Sequence, residues 1–354
     1  MSDKQILVLG TFARGGIRSV IEAYEAASFY GAGRARFIPT HVEGGILARL
    51  RAAFSAFLLV AVLLSRGRVA LLHMHMSMRG SFWRKLVFQS MARIARVPTL
   101  IHLHGSEFSV FYETSSPWVR RAVRHIFDKA GAVVVLSESW RTYISTLTDT
   151  PVKVIGNFVH DAYQPIRATE VRNPRHVLFL GQFGTRKGIY DLIPAFAAVL
   201  HQVPDARLFC GGNGEVEKVR ALVDELGLAH AIKVPGWVSG DEKADLLHGC
   251  VIFVLPSYNE GLPMAIIEAM SYSMAVVSTR VGGIPELVDD CNGALIDPGA
   301  QDQLSAVLGE LLRRDIATIG AMGAASRQRY CRLFSAEACL SEMRALYRKL
   351  GVAP

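Results

Sequence analysis

Short, unbroken apolar runs alternate with longer segments whose apolar positions recur at helical spacing. In the first half the runs are Ile6 to Leu9, Arg36 to Ile38, Val69 to His73, Thr99 to Leu103, Ala132 to Leu136 and Val152 to Ile155. Strands buried on both faces of a parallel sheet require such runs, whereas half-exposed strands alternate. Helical patterns, such as Ile17 to Tyr30 and Ser81 to Arg96, lie between them. The series restarts with Val177 to Leu180, Arg207 to Cys210, Ile232 to Val234, Val251 to Leu255 and Ala275 to Ser278. Three helical segments follow, roughly 302–314, 316–330 and 336–350.

Two consecutive βαβ series predict an α/β chain of two doubly wound, Rossmann-like domains. The polar stretch 157–175, with Pro165 and Pro174, reads as the linker. The expected division is 1–160, joined by the C-terminal helix 336–354, against 165–335.

Composition adds limits. A chain of 354 residues that is 51% hydrophobic and 20% charged is globular and long enough for two cores. Five cysteines fall in no zinc spacing and leave one unpaired in any disulfide scheme, as expected of thiols in a reducing cytoplasm. The N-terminal stretch lacks the pattern of a signal peptide. The apolar stretch Ala52 to Leu64 covers 13 positions, short of a bilayer span. Flanked by Arg49, Arg51, Arg66 and Arg68, it suits a core helix or a helix lying in a membrane interface. Residues 1–160 hold 20 Lys/Arg against 9 Asp/Glu, a net of +11, and the remainder 19 against 22, a net of −3. A basic half attracts anionic lipid, nucleic acid or phosphorylated ligands, and no nucleic-acid motif singles out the second.

Ligands of open parallel sheets bind at the carboxyl ends of strands, so the loops there are the candidates. Gly15 and Gly16 sit in the first such loop and allow close approach of backbone N–H groups to a phosphate, without the GxGxxG spacing of a dinucleotide site. His73 and His75 end the third run, and His102 and His104 the fourth; a neutral imidazole there can bind a sugar hydroxyl, while a metal lacks any carboxylate nearby. Gln182, Arg186 and Lys187 follow the first strand of the second series and suit a diphosphate. Gly236 and Trp237 can border a nucleoside. The stretch 256–270 is the most informative: Pro263 reads as a first-turn residue, which places Glu260 in the loop before a helix and Glu268 in its second turn. Free N–H groups at Gly261, Leu262, Pro263's successor Met264 and their neighbours then face a phosphate, and the two carboxylates can each accept hydrogen bonds from a diol.

The stretch SYNEGLPMAIIEAM with Glu260 and Glu268, followed by STRVGGIPELV at 278–288, resembles the retaining glycosyltransferases of family four, which have the GT-B fold. Gly15-Gly16, His104-Gly105 and Arg186-Lys187-Gly188 occur in the order that resemblance requires. It implies two facing domains with a cleft between them, transfer of a hexose from a UDP- or GDP-linked donor, and a saccharide or lipid-linked saccharide acceptor of bacterial surface polysaccharide synthesis. It also implies that Glu268 holds the donor ribose, Glu260 touches the transferred sugar, Lys187 and Gly16 lie at the diphosphate, and His104 stands at the reacting centre. Many members carry Arg where this chain has Gln182. No Asp-x-Asp metal motif occurs, so no metal and no cofactor beyond the donor substrate is expected. A GT-B epimerase and a non-catalytic sugar-nucleotide-binding protein are the alternatives. Phe82, Trp83, Arg84 and Lys85 add to the expectation of peripheral contact with an anionic membrane at the inner leaflet.

Overall fold

The computed structural model describes residues 4–13, 15–31, 33–159 and 172–352. The chain divides into two compact units, 1–160 with 336–354, and 161–335. Of the expected linker, residues 160–171, including Pro165, lie outside the described residues.

The first unit is built on six parallel strands, β1 (Gln5–Gly10), β2 (Ala35–Pro39), β3 (Val69–Met76), β4 (Thr99–Leu103), β5 (Ala132–Val135) and β6 (Val152–Val154), in the order β2-β1-β3-β4-β5-β6. Helices α1 (Gly16–Ala26), α2 (Ile46–Ser65), α3 (Gly80–Ile94), α4 (Phe108–Glu113), α5 (Pro117–Asp128) and α6 (Glu138–Ser145) form the crossovers. β3 to β5 are buried at nearly every position, which is why they read as continuous apolar runs.

The second unit has β7 (Asn173–Leu180), β8 (Arg207–Gly211), β9 (Ile232–Gly236), β10 (Cys250–Leu255), β11 (Ala275–Thr279) and β12 (Gly293–Ile296), in the order β12-β11-β10-β7-β8-β9. Its helices are α7 (Ile189–Leu200), α8 (Val216–Glu225), α9 (Gly240–Gly249), α10 (Met264–Ser271), α11 (Ile284–Leu287), α12 (Gln301–Arg313) and α13 (Ile316–Leu333). α14 (Ala336–Lys349) belongs to the first unit. In each sheet the strand order reverses once, between β1 and β3 and between β7 and β10, and these are the crevices where ligands of doubly wound sheets bind.

Three expectations need correction. Pro174 is not linker: it is the second residue of β7, where a missing N–H at a strand start costs little. β12 is an additional strand, four residues opening on Gly293, too short to stand out as a run. The apolar stretch 52–64 is the C-terminal part of α2, which at 20 residues has the length and composition of a bilayer span, with mean hydropathy 2.0. Nor is α2 a core helix. Only Ala56, Val60, Leu63 and Leu64 are buried, a narrow i, i+4, i+7, i+8 stripe, while Ile46, Leu47, Leu50 and Phe54 are at least 60% exposed.

Candidate functional site

At the β7/β10 crevice, three loops meet. Gly188 ends the turn after β7 in the left-handed region (φ 70°), and a Cβ there would lie 2.0 Å from the Pro256 carbonyl oxygen. This close approach seats Arg186 and Lys187 beside residues 256–260. The Tyr258 N–H donates to the Arg186 carbonyl at 2.9 Å, tying the loops together. Lys187 forms an ion pair with the buried carboxylate of Glu260, which also accepts from Ser257 Oγ at 2.8 Å and faces Arg186 Nη1 at 3.8 Å. Burial lowers the Lys187 pKa and Arg186 adds to that, while the Glu260 charge pulls the other way. A buried ammonium held by a single carboxylate between exposed loops is well placed to exchange part of that pairing for a phosphate.

Gly261, Leu262 and Pro263 are buried, and α10 starts one residue later than expected, with Pro263 as its N-cap rather than in its first turn. Glu268 does fall in the second turn, half-exposed, and accepts from Lys243 Nζ at 2.5 Å. Lys243, on α9, carries no sequence signal of its own, since a lone lysine on an amphipathic helix reads as a solvated charge. Gly282 (φ 55°) packs on the same loop: a Cβ there would lie 1.8 Å from the Glu260 carbonyl oxygen. Gln182 is exposed after β7, and Gly212 packs so tightly on Gly181 that a Cβ would lie 1.8 Å from its carbonyl oxygen. Gly236 ends β9 at φ 97°, its carbonyl accepting from the Gly212 N–H at 2.7 Å, and Trp237 beyond it is 55% exposed. The structure therefore groups Lys187, Arg186, Glu260, Gly261 and Gly282 directly, with Glu268 one helix turn away.

In the first unit, Gly15 (φ 140°) and Gly16 lead into α1 after β1. His104 follows β4, its N–H donating to Met76 O at 2.8 Å. Parallel register places His75 opposite His102, so the four histidines share one face of β3 and β4. His104 Nε2 lies 2.9 Å from His75 Nδ1, His73 Nε2 lies 3.3 Å from His102 Nδ1, and His73 Nδ1 lies 2.7 Å from the Tyr347 hydroxyl of α14. Burial lowers the pKa of all four, to about 3 for His73 and His104, so the rings are neutral. His73, His75 and His102 each offer a nitrogen within 4.8 Å of the others. However, both ring nitrogens of His73 are engaged, with Tyr347 and with His102, which leaves it no lone pair free for an ion. Of the expected membrane cluster 82–85, Trp83 is partly exposed, but Phe82 and Lys85 are buried, so those two do not face a lipid surface.

Two six-stranded parallel units of this topology, each with loops at its switch point, define the class: the fold is that of the GT-B glycosyltransferases. HepE of Anabaena, solved in complex with UDP and glucose, superposes with a TM-score of 0.75 over 98% of this chain and 99% of its own, at 18% identity. Residues 165–329, nearly the whole second unit, match the family described as glycosyl transferases group 1. The chain is also 26% identical over 259 residues to an uncharacterized glycosyltransferase of Methanocaldococcus jannaschii, covering 72% of this chain and 69% of that one. It is 25% identical over 243 residues to a candidate colanic acid biosynthesis glycosyltransferase of Salmonella typhimurium, covering 64% and 59%. The matched stretch thus spans less than two thirds of the latter relative.

Proposed function

We propose that this chain is a retaining hexosyltransferase that takes a sugar from a nucleoside diphosphate donor, UDP-linked in the first instance, and passes it to a saccharide or lipid-linked saccharide of a bacterial surface polysaccharide. The observation that carries this reading is the Lys187–Glu260 pair at the β7/β10 switch point, with Glu268 one helix turn away. Glu268 takes the ribose diol, Lys187 the diphosphate, and Glu260 the hydroxyls of the transferred sugar. As the glycosidic bond breaks, charge grows on the diphosphate. One lysine and the N–H groups ahead of α10 then stabilise it, each such donor being worth roughly 3 to 4 kcal/mol. UDP in the HepE complex and the polysaccharide role of the Salmonella relative support the donor and pathway class. His104, neutral, serves as a hydrogen-bonding group for the sugar.

The reaction runs without a metal, the leaving group being neutralised by Lys187 and backbone N–H groups. Location at the inner membrane face is supported by α2, whose exposed apolar side is flanked by the exposed Arg49 and Arg51 of its first turns and which contains no acidic residue.

The test is turnover of radiolabelled UDP-glucose and UDP-N-acetylglucosamine with and without candidate acceptors, before and after exhaustive chelation. Acceptor-dependent release of UDP, unchanged by chelation, is expected. Epimerised donor without transfer indicates the epimerase instead, and binding without turnover a non-catalytic protein.

A further inference from the structure

A cavity of about 420 Å³ opens at the β1/β3 switch point of the first unit, and the Gly15-Gly16 loop, which the resemblance sets at the donor diphosphate, lines only one part of it. It is bounded by the loop after β1, by Thr40 and His41 after β2, by His75, and by Arg84 and Lys85 on α3. No acidic residue lines it. Lys85 is 1% exposed, and its ammonium has one protein partner, Thr40 Oγ1 at 2.7 Å. Thr40 in turn donates to the Gly10 carbonyl at 2.9 Å, so its oxygen is fixed as the acceptor for Lys85.

Arg84, next in chain, has its Nε buried with no hydrogen-bond partner. Neither cation forms an ion pair among the described residues. His75, also 1% exposed, likewise leaves Nε2 without a partner. α1 and α3 both begin at the rim, at Gly16 and Gly80, with no side-chain cap at either start and with their positive dipole ends there. A buried ammonium without a counter-ion is costly, and two cations with two helix starts around an open volume suit a bound anion.

We infer that this cavity binds a phosphate group of the acceptor, separate from the donor diphosphate. The assignment to acceptor rests on the donor reading above, in which the second unit supplies its own cations, Arg186 and Lys187, for the diphosphate. Burial, with the Arg84 charge, lowers the Lys85 pKa to about 7, and a phosphate beside it would favour the charged form again. Burial first, and then the neighbouring cations, likewise lower that of His41.

Calorimetric titration of the full chain with inorganic phosphate, at saturating UDP, tests this. One site is expected, weakened tenfold or more in Lys85→Met and in Arg84→Gln, each checked for an unchanged melting temperature. Arg84, only partly buried, keeps the test open if Lys85→Met does not fold. Abolition of phosphate binding by UDP would assign the cavity to the donor and overturn the inference, as would parent-like affinity in both variants. If UDP does not bind at all, the donor reading fails, and the titration without UDP still reports on the cavity through the same variants. Sedimentation with phosphatidylcholine vesicles, with and without phosphatidic acid, separates the sources. A phosphatidic-acid-dependent fraction lost in Lys85→Met marks a lipid-borne phosphate, and unchanged sedimentation with weakened binding of inorganic phosphate marks a soluble ester.

Discussion

Glu260 answers to three groups at once, Lys187, Arg186 and Ser257, so the site is sensitive to what surrounds that one carboxylate. If the roles proposed above for Lys187 and Glu268 hold, Lys187→Ala removes the charge that grows in importance as the diphosphate departs, and kcat is expected to fall a hundredfold or more. Glu268→Ala deletes a contact made equally before and during bond breaking, so KM for the donor should rise about tenfold with kcat nearly kept. Steady-state kinetics of the two variants shows the difference, and identical profiles would reassign both residues. Gly282→Ala forces a Cβ onto the Glu260 carbonyl at a left-handed backbone position, and should cost about 3 kcal/mol or more in a denaturant titration. The glutamates were legible in the sequence because an acid-Gly-Leu-Pro start to an apolar helix has few other uses. Lys85 was not, since a lysine after Trp83-Arg84 reads as surface charge until the fold buries it. Nor was the His73–Tyr347 hydrogen bond, whose partners stand 274 residues apart.

At the level of whole elements, apolar content announced each long strand, because burial on both faces leaves no polar register to confuse it. The same signal misled on α2, where hydropathy says how apolar a helix is but not what covers it. With Leu47 78% and Phe54 62% exposed, α2 should bring the protein down with anionic vesicles at low salt and less so at high salt. Replacing both residues by glutamate should abolish sedimentation while changing stability by less than about 1 kcal/mol, since neither packs inside. Equal binding of neutral and anionic vesicles would remove the electrostatic part of that account. The β3–β4 histidines give a second test. Their folded pKa values lie below the ordinary 6.5, so protonation favours the unfolded chain; stability is intact above pH 6.5 and is lost as pH falls toward 3. Each such histidine adds up to about 1.4 kcal/mol per pH unit to that slope. His102→Gln should flatten the fall in unfolding free energy between pH 6.5 and 5 by about that amount.

Across the molecule, the first unit is made of two separate stretches of chain, with α14 completing it. That helix buries Cys339, Leu340, Met343, Leu346 and Tyr347, and Leu350 just beyond it lies against Gly131. At about 1.5 to 3 kcal/mol per buried side chain the sum rivals the whole stability of a domain. A chain stopped after residue 335 should therefore lose cooperative unfolding of the first unit and keep that of the second, as proteolysis followed by mass spectrometry would show. Uniform protection of both units would mean α14 is dispensable. The same arrangement sets a timetable for the cell. On the ribosome, residues 1–160 emerge first but wait for the whole second unit, roughly 175 residues, before their last helix is made. At about 5 to 20 residues per second that is a delay of about 10 to 35 s. For that interval the nascent first unit carries an apolar surface that α14 has yet to cover, so its folding is tied to synthesis of the second.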